Sequence, residues 1–195
     1  MMTAIIILLT LSTSSLILGN ILNSPPSVYN CFKNQGFNYI MVLAYFQEKI
    51  SPYAQPQINN ALNAGIQSID VVLFANSSGD PQYQSQEISK LSGYRMVWCQ
   101  LYCGNNNASS IVSYLEALKK SLKGIAFGIR TEKDYWNKCT DGWNGWSDVP
   151  LWYLGTNTEM NLDDFISFGG WSKPAIKHFP DMYRICQTGV FESFY

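Results

Sequence analysis

The stretch PLWYLGTNTEMNLDDFISFGGWSKPAIKHF, from Pro150 to Phe179, decides the fold of this chain. Its beginning belongs to the apolar run Val149–Gly155, which ends in a glycine and predicts a short buried strand. Asp163 and Asp164 follow, and we expect them to cap or brace the loop that leads into Phe168-Gly169-Gly170-Trp171. The stretch therefore combines a core strand with a braced aromatic loop.

Outward from this stretch, apolar runs alternate with helix-like segments. Further strands are predicted at Tyr39–Phe46, Ser68–Phe74, Met96–Cys99 and Ile125–Ile129. Helices are predicted at Pro56–Gly65, Gln82–Leu91 and Ser110–Gly124. Repeated strand–helix–strand order with near-continuous apolar strands indicates a parallel sheet covered by helices. No Gly-rich dinucleotide fingerprint or phosphate loop is present, so we predict a single-domain α/β fold, an irregular TIM-like (β/α) barrel.

The charge balance limits the possible partners. The chain has 195 residues, with 13 Lys and Arg against 14 Asp and Glu, and a formal net charge of −1. Nucleic acid is excluded as a partner, because its binding depends on clustered Lys and Arg that neutralise phosphates. Polysaccharides fit better, because aromatic faces and amides contact sugars without a strong electrostatic field, and 14% of the residues are aromatic.

The N-terminal segment has the pattern of a secretory signal peptide. It is apolar from Ala4 to Leu11 and then turns small and polar, although no Lys or Arg precedes the apolar run. We predict a signal peptide over residues 1–15, cleaved after Ser15 or alternatively after Gly19, and a mature domain over residues 16–195. The apolar run is too short to span a membrane comfortably, so we expect a secreted or extracellular protein without a membrane anchor.

Secretion changes how the cysteines are interpreted. An oxidising compartment favours two disulfides and one spare thiol among Cys31, Cys99, Cys103, Cys139 and Cys186. The spacing Cys99-x-x-x-Cys103 is a poor zinc signature without a second Cys/His pair, and the chain has a single histidine. We therefore expect no metal and no cofactor.

Two sequons for N-linked glycosylation follow predicted strands. They are Asn76-Ser77-Ser78 and Asn107-Ala108-Ser109. Such triplets also arise by chance, so each predicts a glycan only in combination with secretion.

The C-terminal stretch resembles the glycoside hydrolase family 25 lysozymes, the Chalaropsis-type muramidases. The similar features are Pro-Leu-Trp-Tyr, an Asp-Phe before Phe-Gly-Gly-Trp, and Pro-Ala-Ile-Lys with an aromatic residue, all within Pro150–Phe179. Upstream, CFKNQGFNYIMVLAY (Cys31–Tyr45), NALNAGIQSIDVVLF (Asn60–Phe74) and GIRTEKDYW (Gly128–Trp136) also look like family segments. The resemblance covers nearly the whole mature chain.

This resemblance implies an irregular (β/α) barrel with its site at the C-terminal ends of the strands. Family members hydrolyse the bond after N-acetylmuramic acid, which requires two carboxyl groups that flank the glycosidic oxygen. Peptidoglycan or a related glycan is the implied partner, and we expect a monomer. The resemblance also implies a Cys31–Cys186 disulfide, and we expect Cys103 to pair with Cys139, which leaves Cys99 buried.

The family's acids are replaced at most of the corresponding positions. The first-strand position falls on Gly19 or Asn20, the two central positions on Gln100 and Tyr102, and the C-terminal position on Phe191. Glu192 is a poor substitute, because adjacent residues of a strand point to opposite faces. Gln donates no proton to a leaving alkoxide, and Tyr, with a pKa near 10, is a poor acid at neutral pH.

Several other side chains have two interpretations. Asp70 is the acid that remains, either as a residual cleft acid or, as we prefer, as a buried structural carboxylate. Trp152, Tyr153 and Trp171 are candidates for the floor of a sugar cleft, although core packing explains large aromatics equally well. His178 is interpreted as a packed, hydrogen-bonded residue.

Two functions follow. The first is a secreted lysozyme-like protein without muramidase activity, kept for a glycan-binding or regulatory role in antibacterial defence. The alternative is a divergent, active peptidoglycan hydrolase that uses Asp70, Glu132 or Asp134 in a rearranged cleft. A copy without any selected role is the third possibility. Glycans at Asn76 and Asn107, on loops of the substrate face, would obstruct a polymer and so favour the first function.

Overall fold

The chain folds into one sheet that is covered by helices. The computed structural model describes residues 24–194 and the backbone of Ser15–Leu18. In this part of the chain the strands are β1 Ser15–Leu18, β2 Tyr39–Phe46, β3 Lys49–Ile50, β4 Ser68–Asn76, β5 Met96–Tyr102, β6 Ala126–Thr131, β7 Leu151–Leu154, β8 Ile176–Ile185 and β9 Thr188–Phe194. The helices are α1 Pro26–Asn34, α2 Ala54–Asn63, α3 Pro81–Ser89, α4 Ala108–Ser121 and α5 Lys133–Thr140.

The strand order closes the sheet into a barrel. The order is β1-β9-β8-β7-β6-β5-β4-β2-β3, and β1 also pairs with β2. The pairing of β1 with β2 closes the ring, and the two-residue strand β3 lies outside it. Neighbouring strands from β2 through β4, β5, β6 and β7 to β8 are parallel. Strand β9 is antiparallel to both β8 and β1. The predicted single-domain α/β barrel is confirmed, and the antiparallel β9 makes it irregular.

Two apolar cores follow from the alternation of side chains along the strands. The larger core lies between the sheet and the helices. The smaller core fills the barrel interior with Met41, Leu43, Val72, Trp98, Trp152 and Ile176. A Cβ atom on Gly128 would lie 2.5 Å from Cζ3 of Trp98, so the absence of a side chain there makes room for the indole ring.

Most predicted elements are present, with ends that differ by a few residues. The predicted strand Met96–Cys99 extends to Tyr102, and the predicted strand Ile125–Ile129 extends to Thr131. Helix α4 begins earlier than predicted, because Oδ1 of Asn107 accepts a hydrogen bond from the Ser110 amide at 2.9 Å and caps it. Helices α1 and α5 and the closing strands β1, β8 and β9 have no counterpart among the predicted elements.

The cysteine pairing agrees with the expectation. Cys31 is bonded to Cys186, and Cys103 is bonded to Cys139. Cys99 is a buried thiol on β5, and burial raises its pKa. Within residues 24–194 no cluster of three or more potential metal ligands occurs, and no helix there has the length and apolar character needed to cross a bilayer.

Candidate functional site

The inward-facing side chains at the C-terminal ends of the strands form the mouth of the barrel. Gln100 of β5 lies level with Arg130 of β6, and Arg130 lies level with Trp152 of β7. His178 of β8 pairs in register with Ser193 of β9. In a parallel α/β barrel this end is where the loops and the functional groups are found.

Arg130 is the central charged group of the mouth. The residue is 8% exposed, and its guanidinium carbon lies 4.5 Å from the centre of the Trp152 ring. Nη1 donates a hydrogen bond to Oε1 of Gln100, and Nη2 lies 3.4 Å from Nε2 of His178. Burial lowers the pKa of Arg130 to about 10, so the guanidinium stays charged at neutral pH.

His178 is held as a neutral ring beside this cation. Burial, assisted by the charge of Arg130, lowers the pKa of His178 to about 3. A guanidinium only donates hydrogen bonds, so Nε2 of His178 is the acceptor and the ring proton lies on Nδ1. Nδ1 is 3.3 Å from Oγ of Ser193, which also accepts from Nε1 of Trp152 at 3.3 Å. Arg130, His178, Ser193 and Trp152 therefore form one connected polar network.

A groove lined by aromatic rings adjoins the network at the rim. Tyr102 is 62% exposed and Phe46 is 40% exposed, and Phe74 packs against Phe46 with ring centres 5.4 Å apart. The remaining groove residues, Gln47 and Glu48 at the tip of the β2–β3 hairpin and Asn76, are polar. Exposed rings with amide and carboxylate groups around them are suited to contact a sugar.

At the opposite end of the barrel, Asp70 is completely buried and fully paired. Its carboxylate accepts hydrogen bonds from Nε1 of Trp98 at 2.9 Å and from the hydroxyl of Tyr39. Nε of Arg95 lies 3.2 Å from Oδ1 of Asp70. This geometry is that of a structural carboxylate rather than a cleft acid.

Comparison with known proteins decides the family. A family profile described as Lysozyme-like protein 1 matches residues 22–179. The chain is 32% identical to the probable GH family 25 lysozyme 4 of Dictyostelium discoideum, over 86% of this chain and 84% of that protein. The chain belongs to the glycoside hydrolase family 25 lysozyme-like proteins.

Solved structures of this fold agree. The bacterial lysozyme from Streptomyces coelicolor superposes with a TM-score of 0.76 at 15% identity, over 93% of this chain and 91% of that one. The muramidase from Trichobolus zukalii superposes with a TM-score of 0.71 at 19% identity, over 86% of each chain. At these identities the likeness extends to the glycoside hydrolase family 25 fold.

The structure places three of the four positions at which the resemblance assigns a replaced family acid. Gln100 lies in the mouth against Arg130, and Tyr102 lies two residues further along β5 at the rim. The ring of Phe191 lies 5.3 Å from the His178 ring, so Phe191 also faces the mouth, and Glu192 points to the other face of β9. Asn20 and Gly19 lie outside the described residues.

The aromatic residues proposed for the cleft floor need a correction. Trp152, Tyr153 and Trp171 are 0%, 5% and 3% exposed. Trp152 fills the barrel interior, whereas Tyr153 and Trp171 pack in the core between sheet and helices. None of the three presents an open ring face, whereas Phe46 and Tyr102 of the groove are exposed.

The structure separates the acids of the alternative hypothesis. Asp70 of β4 lies level with Met96 of β5, and Met96 pairs with Ala126 of β6. Glu132 therefore lies six residues above the level of Asp70. At about 3.3 Å per residue the separation along the strands is about 20 Å, twice what an inverting mechanism uses.

Glu132 and Asp134 nevertheless share a pocket with a third carboxylate. They line it together with Asp164, on the side of Tyr153 that faces away from the barrel interior. Asp164 braces the loop before Phe168, as expected, because Nζ of the buried Lys177 lies 2.8 Å from its Oδ1. Burial alone raises the pKa of Asp164, but hydrogen bonds from Lys177 and Thr156 outweigh it and lower the pKa.

Both sequons lie near the C-terminal ends of strands. Asn76 is the last residue of β4 and lines the aromatic groove, and its Nδ2 donates to Oε1 of Glu48 at 2.5 Å. Asn107 is the exposed N-cap residue of α4, and its side chain uses Oδ1 for the cap.

Arg130 is the charged residue of the mouth that the sequence did not single out. It follows the predicted strand Ile125–Ile129, and a charged residue there is usually taken as the start of a loop. One feature of the sequence does indicate its position. Residues two apart on a strand share a face, so Arg130 lies on the same face of β6 as Gly128, the glycine that accommodates Trp98.

Proposed function

We propose that this chain is a secreted, non-hydrolytic member of the glycoside hydrolase family 25 lysozyme-like proteins that binds peptidoglycan or a related glycan. The observation that carries the proposal is the composition of the mouth. Where hydrolysis needs a proton donor and an ionised carboxylate, the described side chains are Gln100, Arg130, His178 and Tyr102.

The charge of Arg130 argues against hydrolysis independently of the missing acids. Glycosidic cleavage passes through an oxocarbenium-like transition state, in which positive charge develops on the sugar. A buried guanidinium at the same place raises the energy of that state by like-charge repulsion, and the low dielectric of the site strengthens the effect. His178 does not replace the acid, because with a pKa of about 3 it is a neutral imidazole at neutral pH and not the acidic imidazolium.

Binding is supported by the aromatic groove. Tyr102 and Phe46 present exposed ring surface at the rim of the mouth. Sugar rings have apolar faces that pack on aromatic rings, and Glu48, Gln47 and Asn76 supply hydrogen-bonding groups at the edge of the groove. The groove therefore provides the contacts of a lectin-like surface.

The alternative, a divergent hydrolase, is favoured only by the pocket of Glu132, Asp134 and Asp164. Asp164 is occupied by its ion pair with Lys177 at 2.8 Å. Glu132 and Asp134 would then have to supply both the acid and the second carboxylate. This candidate predicts that Glu132→Gln abolishes any activity that the wild-type protein has.

Secretion, modification and biological role belong to the same proposal. The apolar N-terminus, the two disulfides and the two sequons together support an extracellular, glycosylated protein. The monomeric state and the role in antibacterial defence are proposed from the family alone. Cleavage after Ser15 retains Leu16–Leu18 of β1, whereas cleavage after Gly19 removes the whole closing strand. A glycan on Asn76 would stand at the edge of the groove and would hinder passage of a long polymer through the mouth, which a hydrolase needs and a binding protein does not.

The test is turnover and binding by the purified, disulfide-intact secreted protein. Incubation with bacterial peptidoglycan should release no new reducing ends, while sedimentation with the insoluble polymer should retain the protein. Tyr102→Ala should weaken retention, and Tyr83→Ala should not, because Tyr83 is 49% exposed on α3 but does not line the groove. If the wild-type protein releases reducing ends and Glu132→Gln does not, the protein is a hydrolase instead. If the polymer retains both tyrosine variants equally, the groove is not the binding surface.

A further inference from the structure

Arg130 is a buried cation for which the described residues supply no negative partner. The ion pairs in this part of the chain are Lys90–Glu87, Arg95–Asp70 and Lys177–Asp164. The partners of the guanidinium are instead neutral: the Gln100 amide, the His178 ring and the Trp152 face. Its Nε–H has no acceptor among the described residues.

This arrangement is unfavourable for folding. An isolated charge in the interior loses its hydration, and hydrogen bonds to the neutral Gln100 amide and His178 ring with one cation–π contact offset only part of that loss. Local arrangements that break the rules of stable packing are typical of functional sites. The missing interaction is the one that a bound anion would supply.

We propose that Arg130 anchors a carboxylate-binding subsite, and that the ligand is an acidic sugar whose carboxylate enters the mouth while its ring lies on the aromatic groove. The identity of the ligand rests on the proposed glycan-binding function. The subsite itself rests on the buried, unpaired guanidinium.

The chemistry of the mouth fits a carboxylate. The planar guanidinium matches a carboxylate with two parallel hydrogen bonds, and the free Nε–H supplies one donor. The amide of Gln100 can turn its NH₂ toward an anion once Nη1 is taken by the ligand. His178 is an uncharged neighbour with its own proton on the far side, so it neither repels nor neutralises the anion.

The distance between Arg130 and the groove suits one sugar residue. Phe74, which lines the groove, pairs in register with Gln100, and Gln100 lies level with Arg130. Two strand spacings of about 4.8 Å separate Phe74 from Arg130, or about 10 Å. A pyranose ring with a carboxylate on a short substituent spans such a distance.

The test compares three probes with the full-length secreted protein by calorimetry. They are N-acetylmuramic acid, its neutral methyl ester, and N-acetylglucosamine, which lacks the acidic substituent. We expect the acid to bind about tenfold more tightly than either neutral sugar, and we expect the preference to shrink at high salt. Equal affinities would overturn the subsite and leave glycan binding standing. Failure of the acid to bind at all would also overturn it, whereas the sedimentation experiment judges the proposed function separately.

Variants assign the preference to its residue. Arg130→Met should reduce the affinity for the acid to that for the ester. Tyr102→Ala should lower the affinity for all three sugars to a similar extent. Lys123→Met, at an exposed cation on the turn after α4, is the matched control and should change nothing. The assignment would be overturned if Arg130→Met still preferred the acid over the ester. It would also be overturned if acetate competed for the site as well as the acidic sugar does at equal concentration. The probe comparison needs no substitution, so a variant that fails to fold does not affect the outcome.

Discussion

The two ends of the barrel hold buried charges of opposite kinds. At the N-terminal end, the carboxylate of Asp70 has Trp98, Tyr39 and Arg95 as partners. At the C-terminal end, the guanidinium of Arg130 has only neutral partners. The same narrow interior therefore contains one charge that is compensated and one that is not.

The difference teaches how to separate a structural charge from a functional one. A compensated charge stabilises the fold and offers nothing to a ligand, because its hydrogen-bonding capacity is used. An uncompensated charge destabilises the fold and keeps its capacity for an incoming group. Asp70 is of the first kind, and Arg130 is of the second.

The largest expected effect is at Asp70. Asp70→Ala leaves the buried indole N–H of Trp98 and the hydroxyl of Tyr39 without an acceptor, so we expect the free energy of unfolding to fall by about 3–5 kcal/mol. Asp70→Asn keeps one acceptor and should lose about half as much. Urea unfolding followed by tryptophan fluorescence measures both. A loss below 1 kcal/mol for the alanine variant would remove the contrast between the two ends.

The next largest effect is the pH dependence of stability that we expect from the neutral His178 beside Arg130. Its pKa is about 3 in the folded protein, below the ordinary value of 6.5, so the unfolded chain binds the proton more tightly. Stability is therefore fully present above pH 6.5 and is lost as the pH falls toward 3, by about 1.4 kcal/mol per pH unit. We expect unfolding curves to show a loss of about 2 kcal/mol between pH 6.5 and pH 5.

The control for this pH dependence is His178→Gln, which keeps a hydrogen bond to Ser193 but does not titrate. Because His178 is the single histidine of the chain, this variant removes the only side chain with an ordinary pKa near 6.5. The slope between pH 6.5 and pH 5 should flatten in the variant. An unchanged slope would show that other groups cause the loss.

The smallest effect has the opposite sign. Arg130→Met removes an uncompensated charge from the mouth and fills similar space, so we expect the free energy of unfolding to rise by about 1 kcal/mol. Arg95→Met, which removes the cation that pairs with Asp70, should lower it by a similar amount. The same urea titration compares them. If Arg130→Met destabilises as much as Arg95→Met, Arg130 is a structural residue and the comparison fails.

Much of the fold could be predicted because strand signals are local. The run Tyr39–Phe46 is continuous and apolar, and the observed strand β2 has the same bounds. Strands β8 and β9 were missed because His178, Asp181, Arg184 and Glu192 interrupt their apolar pattern. Helix α5 was missed since Lys133–Thr140 lacks a clear apolar face in the sequence, although Trp136 and Cys139 are buried.

The candidate site could be predicted only in part. The places of Gln100 and Tyr102 follow from the strand on which they lie, and the resemblance assigns their role. The contact between Arg130 and His178 joins residues 48 positions apart, and it depends on the register of three strands. No local pattern encodes that register, so the sequence can indicate the face of β6 on which Arg130 lies but not its contact with His178.

Strand β1 has a consequence for synthesis of the chain. Leu16 pairs with Tyr39 of β2, which is made early, and with Ser193 of β9, which is made late, so one side of β1 stays unpaired until the last described strand is made. A ribosome has to release almost the entire polypeptide before the ring can close, and until then the edges of β1 and β8 that β9 covers stay open to wrong partners. Cys31 meets Cys186 only at that late stage. The Cys31–Cys186 bond therefore marks a chain whose ring has closed.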